Sequence, residues 1–165
     1  MNHPRPALTL PAPGADLQLV PYEHLDAQRL AQELRDFQLT LYGFADEVAP
    51  TGDEGFDPPN GLFLVAYSGG TPVGCGGWRT LQPGTAEIKR MYVAPARRGH
   101  ALGHTILHTL EAASRTAGAT RMVLETGRDN RAALQLYTRS GYTQVPSYVP
   151  GRNPDINRAM AKLLG

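Results

Sequence analysis

Residues 87–117 constrain the fold most, because two periodicities meet there around Arg97-Arg98-Gly99-His100-Ala101-Leu102-Gly103. Glu87 to Val93 reads as a β-strand, broken by Pro95. Ala101 to Ala117 reads as an amphipathic helix, with Leu102, Ile106, Leu110, Ala113 and Ala117 on one face and His104, His108, Glu111 and Arg115 on the other. Gly118 supplies its stop. A strand that enters a helix through such a loop aims free backbone N–H groups and the positive end of the helix dipole outward. Two arginines and two glycines let an anion approach that backbone, so the stretch reads as a phosphate or pyrophosphate site. No Lys-Ser or Lys-Thr completes a P-loop, and Gly99-His100-Ala101-Leu102-Gly103 does not fit G-x-G-x-x-G. A strand-to-helix turn with no ligand is the competing reading.

The other elements follow from pattern and punctuation. Residues 1–15, with Pro4, Pro6, Pro11 and Pro13, read as a flexible tail, and residues 16–165 as one domain. Leu17–Val20 is a short strand, and Tyr22 to Tyr42 is helical, as one helix or two. Residues 45–60 form an acidic Gly/Pro-rich loop, long enough to be functional. Strands are expected at Gly61–Tyr67, Pro72–Leu81, Ala86–Val93 and Arg121–Thr126, a second helix near Asn130–Ser140, and an extended region over Tyr142–Leu164. The order β-α(α)-βββ-α-β-α-β predicts a mixed α/β sheet with helices on both faces.

Charge is unevenly spread. Residues 1–60 hold ten acids and three bases, a net −7, and the remainder carries +8. The basic part contains the anion loop, as a polyanionic ligand would favour. Nucleic acid is disfavoured, since no dense Lys/Arg stripe carries interleaved aromatics. The single Cys75 excludes an internal disulfide and points to the cytoplasm. No apolar run is long enough to span a membrane.

The loop resembles the acyl-CoA signature of the GNAT superfamily of N-acetyltransferases, Arg/Gln-x-x-Gly/Ala-x-Gly/Ala after a strand ending in Val-x-Pro. Arg98, Ala101 and Gly103 carry it here, after Val93-Ala94-Pro95, with Ala101 where glycine is usual. A second block, Asn130-x-x-Ala133-x-x-Leu136-Tyr137-x-x-x-Gly141-Tyr142, resembles the family's N-x-x-A-x-x-L-Y-x-x-x-G-F/Y segment. The resemblance implies the GNAT-like fold, an α+β arrangement with a mixed, mostly antiparallel central sheet. It implies a cytoplasmic N-acetyltransferase that moves an acetyl group from acetyl-CoA directly to a primary amine. The pyrophosphate would lie on Arg98, Gly99, His100, Ala101, Leu102, Gly103 and His104. Backbone groups of Met91 and Val93 would bind the pantetheine arm, and the block containing Asn130 and Ala133 would help hold it. Tyr137 would protonate the departing thiolate. Glu87, six residues before Val93, matches the family's general base, against the plainer reading of a strand-end carboxylate paired with Lys89 or an arginine, and Glu125 is the rival base or an acceptor-binding group. Family members are often dimers. A non-catalytic acyl-CoA-binding or sensing module of the same fold is the alternative.

Other residues invite chemistry less specifically. His100, His104 and His108 recur every four residues, but neither H-E-x-x-H nor a nearby Cys completes a zinc pattern, so no metal is expected. Cys75 reads as a small core residue. Asp46, Glu47, Asp53 and Glu54 suggest a cationic acceptor amine.

Overall fold

The computed structural model describes residues 11–12, 15–44 and 55–165. Their elements are β1 (Pro11–Ala12), β2 (Ala15–Val20), α1 (Leu25–Tyr42), β3 (Gly61–Ser68), β4 (Thr71–Gln82), β5 (Thr85–Val93), α2 (Leu102–Thr116), β6 (Arg121–Gly127), α3 (Arg131–Arg139), β7 (Thr143–Val145) and β8 (Asn157–Leu163). The strands form one sheet in the order β1-β2-β3-β4-β5-β6-β8-β7. Among the described residues only β5 and β6 pair in parallel, with α2 as the crossover between them. This is the mixed, mostly antiparallel sheet expected. Within the expected tail, residues 11–12 instead pair with the start of β2. Residues 1–10 and 13–14 lie outside the described residues, as do 45–54, and with them Asp46, Glu47, Asp53 and Glu54.

Both faces of the sheet are covered, so β3 reads as a continuous apolar run rather than an alternating one. Phe63 and Val65 pack with Cys75 and Tyr92 against Ala27, Leu30, Ala31 and Leu34 of α1. Leu62, Leu64 and Ala66 pack on the opposite face with Trp78, Ile88 and the α2 residues Ile106, Leu107 and Leu110. Helix α1 is a single helix. It begins after His24, whose Nδ1 accepts from the Asp26 N–H at 3.1 Å, and ends at Gly43 in the left-handed conformation.

The glycines of β4 let the layers close. A Cβ on Gly76 would meet Met91 Sδ at 2.6 Å and Ile106 and Leu110 at 3.1 Å. A Cβ on the next residue, Gly77, would meet Phe63 at 2.7 Å on the other face. Helix α2 therefore rests directly on the backbone of β4.

The buried face of α2 is rotated from the expected one. Leu102, Ile106, Leu107, Leu110, Glu111 and Ser114 are buried, whereas Ala117 is exposed. Glu111, placed by sequence on the polar face, is only 2% exposed. Its carboxylate accepts from Lys162 Nζ at 3.0 Å and from the Tyr142 hydroxyl at 3.0 Å. A buried carboxylate is tolerated because β8 and the segment after α3 bring those partners to it.

Candidate active site

The site begins with a strand defect. Cys75 pairs with Tyr92 and Gly77 with Lys89, so Arg90 and Met91 oppose Gly76 alone. This β-bulge puts Arg90 at φ 60, and bulges bend and twist the strand that carries them. The β5–β6 ladder runs only from Thr85↔Arg121 to Glu87↔Val123. Beyond it the two strands part, and the edge of β5 that faces the gap presents peptide groups without β6 partners. A cavity of about 380 Å³ occupies the gap, between Ile88–Met91 of β5 and Glu125–Gly127 of β6. Helix α1 contributes Gln38 and Tyr42, and α3 contributes Asn130, Ala133 and Tyr137. Tyr42 packs closely enough on Gly127 that no side chain fits there.

Tyr137 stands where its chemistry can be used. It lines the cavity, is 5% exposed, and its hydroxyl makes no hydrogen bond among the described residues. Burial pushes its phenol well above the ordinary tyrosine range, so it keeps its proton at any working pH. Asn130 also lines the cavity, and its Oδ1 caps α3 by accepting from the Ala133 N–H at 3.2 Å.

The two candidate carboxylates are separated by the geometry. Both lie on the α1 face of the sheet. Glu125 lines the cavity and is held by Arg152 Nε at 3.1 Å and Asn157 Nδ2 at 3.1 Å. Glu87 does not line it. Its side chain is 2% exposed and enclosed by Arg79 Nε at 3.0 Å and the Tyr148 hydroxyl at 2.6 Å. Tyr148, Arg152 and Asn157 gave no signal in sequence. They follow prolines in an apparently featureless stretch, and their partners are distant in the chain.

At the other end, the turn after β5 leads into α2 through Gly99 at φ 82 and Ala101 at φ 61. Among the described residues no side chain caps α2, so its first-turn amides have no intrahelical acceptor and no side-chain acceptor there. Gly99, His100, Ala101 and His104 are exposed around them. The Leu102 side chain is buried in the core, which leaves only its peptide group to face a ligand. Gly103 sits close to Leu136 of α3, where a Cβ would meet Leu136 at 3.3 Å. His104 and His108 stack at 5.7 Å, and His108 lies 3.8 Å from Glu111. Among the described residues no group of three or more His, Cys, Asp or Glu could hold a metal ion. Cys75 is fully buried, donates to the Arg90 carbonyl at 3.3 Å, and has its thiol pushed up by burial, which makes it an unreactive core residue. Among the described residues no helix is long and apolar enough to cross a membrane.

The arrangement has a helix N-terminus without a side-chain cap, a strand edge with peptide groups not paired to β6, and a cavity lined by a protonated phenol and a carboxylate. An extended, anion-tailed molecule could lie along it. Comparisons with known proteins agree. The "Acetyltransferase (GNAT) family" matches residues 25–142. An IAA acetyltransferase of Azospirillum brasilense is 37% identical over 93 residues, 56% of this chain and 61% of that protein. The match thus spans less than two thirds of that relative. An uncharacterized N-acetyltransferase of Schizosaccharomyces pombe is 33% identical over 80% of this chain and 90% of its own. A crystal structure from Klebsiella pneumoniae, described as an acyl-CoA N-acyltransferase, superposes with a TM-score of 0.79 at 29% identity, covering 92% of this chain and 98% of that one. A PaiA N-acetyltransferase of Thermoplasma acidophilum, solved with coenzyme A, shares the fold at a TM-score of 0.69 and 17% identity, over 90% of this chain and 98% of that one. Fold, motif spacing and relatives converge, and the chain belongs to the GNAT family of acyltransferase enzymes.

Proposed function

We propose that this protein is a cytoplasmic N-acetyltransferase that moves the acetyl group of acetyl-CoA directly to a primary amine. The observation that carries the reading is the Tyr137 hydroxyl, unpartnered among the described residues, in the cavity where β5 and β6 part. The residues fit the cosubstrate. The α2 amides, with Arg98, would take the pyrophosphate. The peptide edge of β5 at Met91 and Val93, where the Val93 carbonyl also accepts from Arg98 Nε at 2.9 Å, would bind the pantetheine amides, and Asn130 and Ala133 would flank that arm. Thermoplasma and Salmonella proteins of this fold have been solved with coenzyme A and acetyl-CoA, which supports the same ligand here.

Transfer requires a neutral amine, a stabilised carbonyl oxygen and a protonated leaving thiolate. A primary alkyl ammonium has a pKa of about 10.4, so at pH 7 only about one amine in a few thousand is neutral. Glu125 borders the cavity and would take the ammonium proton directly or through a water. The amine nitrogen attacks the thioester carbon, and the developing oxyanion meets a β5 peptide N–H near Met91. As the carbon–sulfur bond breaks, the Tyr137 phenol would give its proton to sulfur, and the proton that the nitrogen sheds on becoming an amide would return to the phenolate through water, leaving an amide and a thiol. Glu87, the base that the family pattern suggests, is bonded by Arg79 and Tyr148 and does not line the cavity, whereas Glu125 does, which favours Glu125 as the base.

The acids that suggest a cationic acceptor lie outside the described residues, and the cavity lining also includes the cations Lys89, Arg90 and Arg152, the last on Glu125 at 3.1 Å. The acceptor is therefore proposed only as a primary amine. Thiol release from acetyl-CoA with an amine panel tests the function. Turnover by the wild type, with Glu125→Gln losing the acidic limb of the rate profile and falling about 100-fold near neutrality, is the expected result. Acetyl-CoA binding without turnover of any amine would instead support the non-catalytic module. Loss of the limb in Glu87→Gln alone would return the base to Glu87.

A further inference from the structure

We infer that Tyr148 and Glu87 act as a positioning pair that fixes the acceptor-side wall of the cavity, a role that rests on the acetyltransferase reading above. The wall is the connection between β7 and β8, residues 146–156. It supplies Gly151, Arg152, Asn153 and Ile156 to the cavity, and no helix or strand stiffens it. Two carboxylates of the sheet tie it down. Glu125 receives Arg152 at 3.1 Å, with Ser147 Oγ at 3.5 Å. Glu87, on the neighbouring strand, receives the Tyr148 hydroxyl at 2.6 Å.

The second tie has the features of an anchor. A phenol on a carboxylate at 2.6 Å is a short, charge-assisted bond. Glu87 is buried, and a buried carboxylate needs its lone pairs filled. Arg79 neutralises it at Oε1 and Tyr148 fills Oε2. Burial first, and then the Glu87 charge, push the Tyr148 phenol up, so it remains a donor across the working range. Neither Glu87 nor Tyr148 lines the cavity, whereas four residues just beyond Tyr148 do. The pair therefore acts on the acceptor through the wall. In this chain the strand carboxylate at the position of the expected base holds a loop, and the neighbouring strand's Glu125 faces the amine.

The test uses the full chain with Tyr148→Phe, Glu87→Gln and both together. Hydrogen exchange is followed in peptides covering 146–156, and kinetics are measured with an amine from the panel. A hydrogen bond to a charged group is worth at least about tenfold in an equilibrium, so exchange in that segment should rise about tenfold or more in Tyr148→Phe. The acceptor KM should rise by a similar factor, while the acetyl-CoA KM and the acidic limb of the pH profile stay in place. The double variant should be no worse than the worse single one. Unchanged exchange in Tyr148→Phe overturns the pair. So does loss of the acidic limb in Glu87→Gln, which would make Glu87 act on the proton itself. Raised exchange with an unchanged acceptor KM overturns the wall's role. If no amine turns over in the wild type, the acetyltransferase reading fails, and with it the acceptor wall, whatever the exchange shows. If Glu87→Gln does not fold, Tyr148→Phe carries the test alone.

Discussion

Arg98 turns back onto its own strand, its Nε donating to the Val93 carbonyl at 2.9 Å. Its guanidinium lies 4.9 Å from the Phe37 ring centroid and 5.7 Å from that of Tyr92. The arginine of the anion motif thus also ties α1 to the end of β5. Charge reversal should act twice. Arg98→Glu is expected to weaken coenzyme A binding by about 1.5–3 kcal/mol, read by calorimetry, and also to lower the urea midpoint. Arg98→Gln should lose less affinity. Unchanged affinity in folded Arg98→Glu would remove the arginine from the binding site.

Tyr137→Phe should lower turnover and leave acetyl-CoA affinity in place. A thiol with a pKa of about 8.5 leaves without much help, so the loss is expected at or below about 100-fold. Steady-state kinetics beside a direct binding measurement check this, and equal turnover in the two proteins would exclude Tyr137 from the mechanism.

Ala101 stands at φ 61, at the motif position where glycine is usual. A left-handed non-glycine residue costs about 1–2 kcal/mol, and glycine returns about 0.5–1 kcal/mol of that as unfolded-chain entropy. Ala101→Gly should therefore stabilise the fold by about 0.5–1 kcal/mol in urea denaturation. A clear destabilisation would mean that the methyl group makes contacts that outweigh the strain.

Alkali should unfold this protein through its buried phenols. Tyr137 and Tyr142 have phenols raised by burial, the latter also by the Glu111 charge. The folded state holds these protons above the unfolded value of about 10, so their contribution is fully present below that pH and is lost as pH rises through the folded values. Urea stability should fall above pH 10 by up to about 1.4 kcal/mol per pH unit for each phenol. Replacing either tyrosine with phenylalanine should flatten that slope, and an unchanged slope in both variants would contradict the assignment.

Elements were legible in sequence wherever the signal was local. The α2 loop, the β3–β4 hairpin at Gly69-Gly70 and the α3 block lie within a few residues of where their periodicity put them. What sequence concealed depends on partners far along the chain. Glu111 belongs to the polar face by spacing alone, and only Lys162 and Tyr142 make it a core residue. Tyr148 is unremarkable between Pro146 and Pro150 until Glu87, 61 positions away, meets it. The bulge at Arg90 has no glycine to announce it, yet it accompanies the parting of β5 from β6.

The parted strands also determine how this site would look to mutagenesis. The chemistry on the open edge of β5 belongs to peptide groups, which every side-chain substitution leaves in place. An alanine scan through residues 88–91 would record the packing of Ile88 and Met91 and be blind to the edge itself. Proline, which deletes an N–H, or an ester in place of a peptide bond would register there. The backbone edge can thus be kept while the surrounding side chains diverge, so relatives can differ widely around this cavity and still offer a ligand the same row of amides.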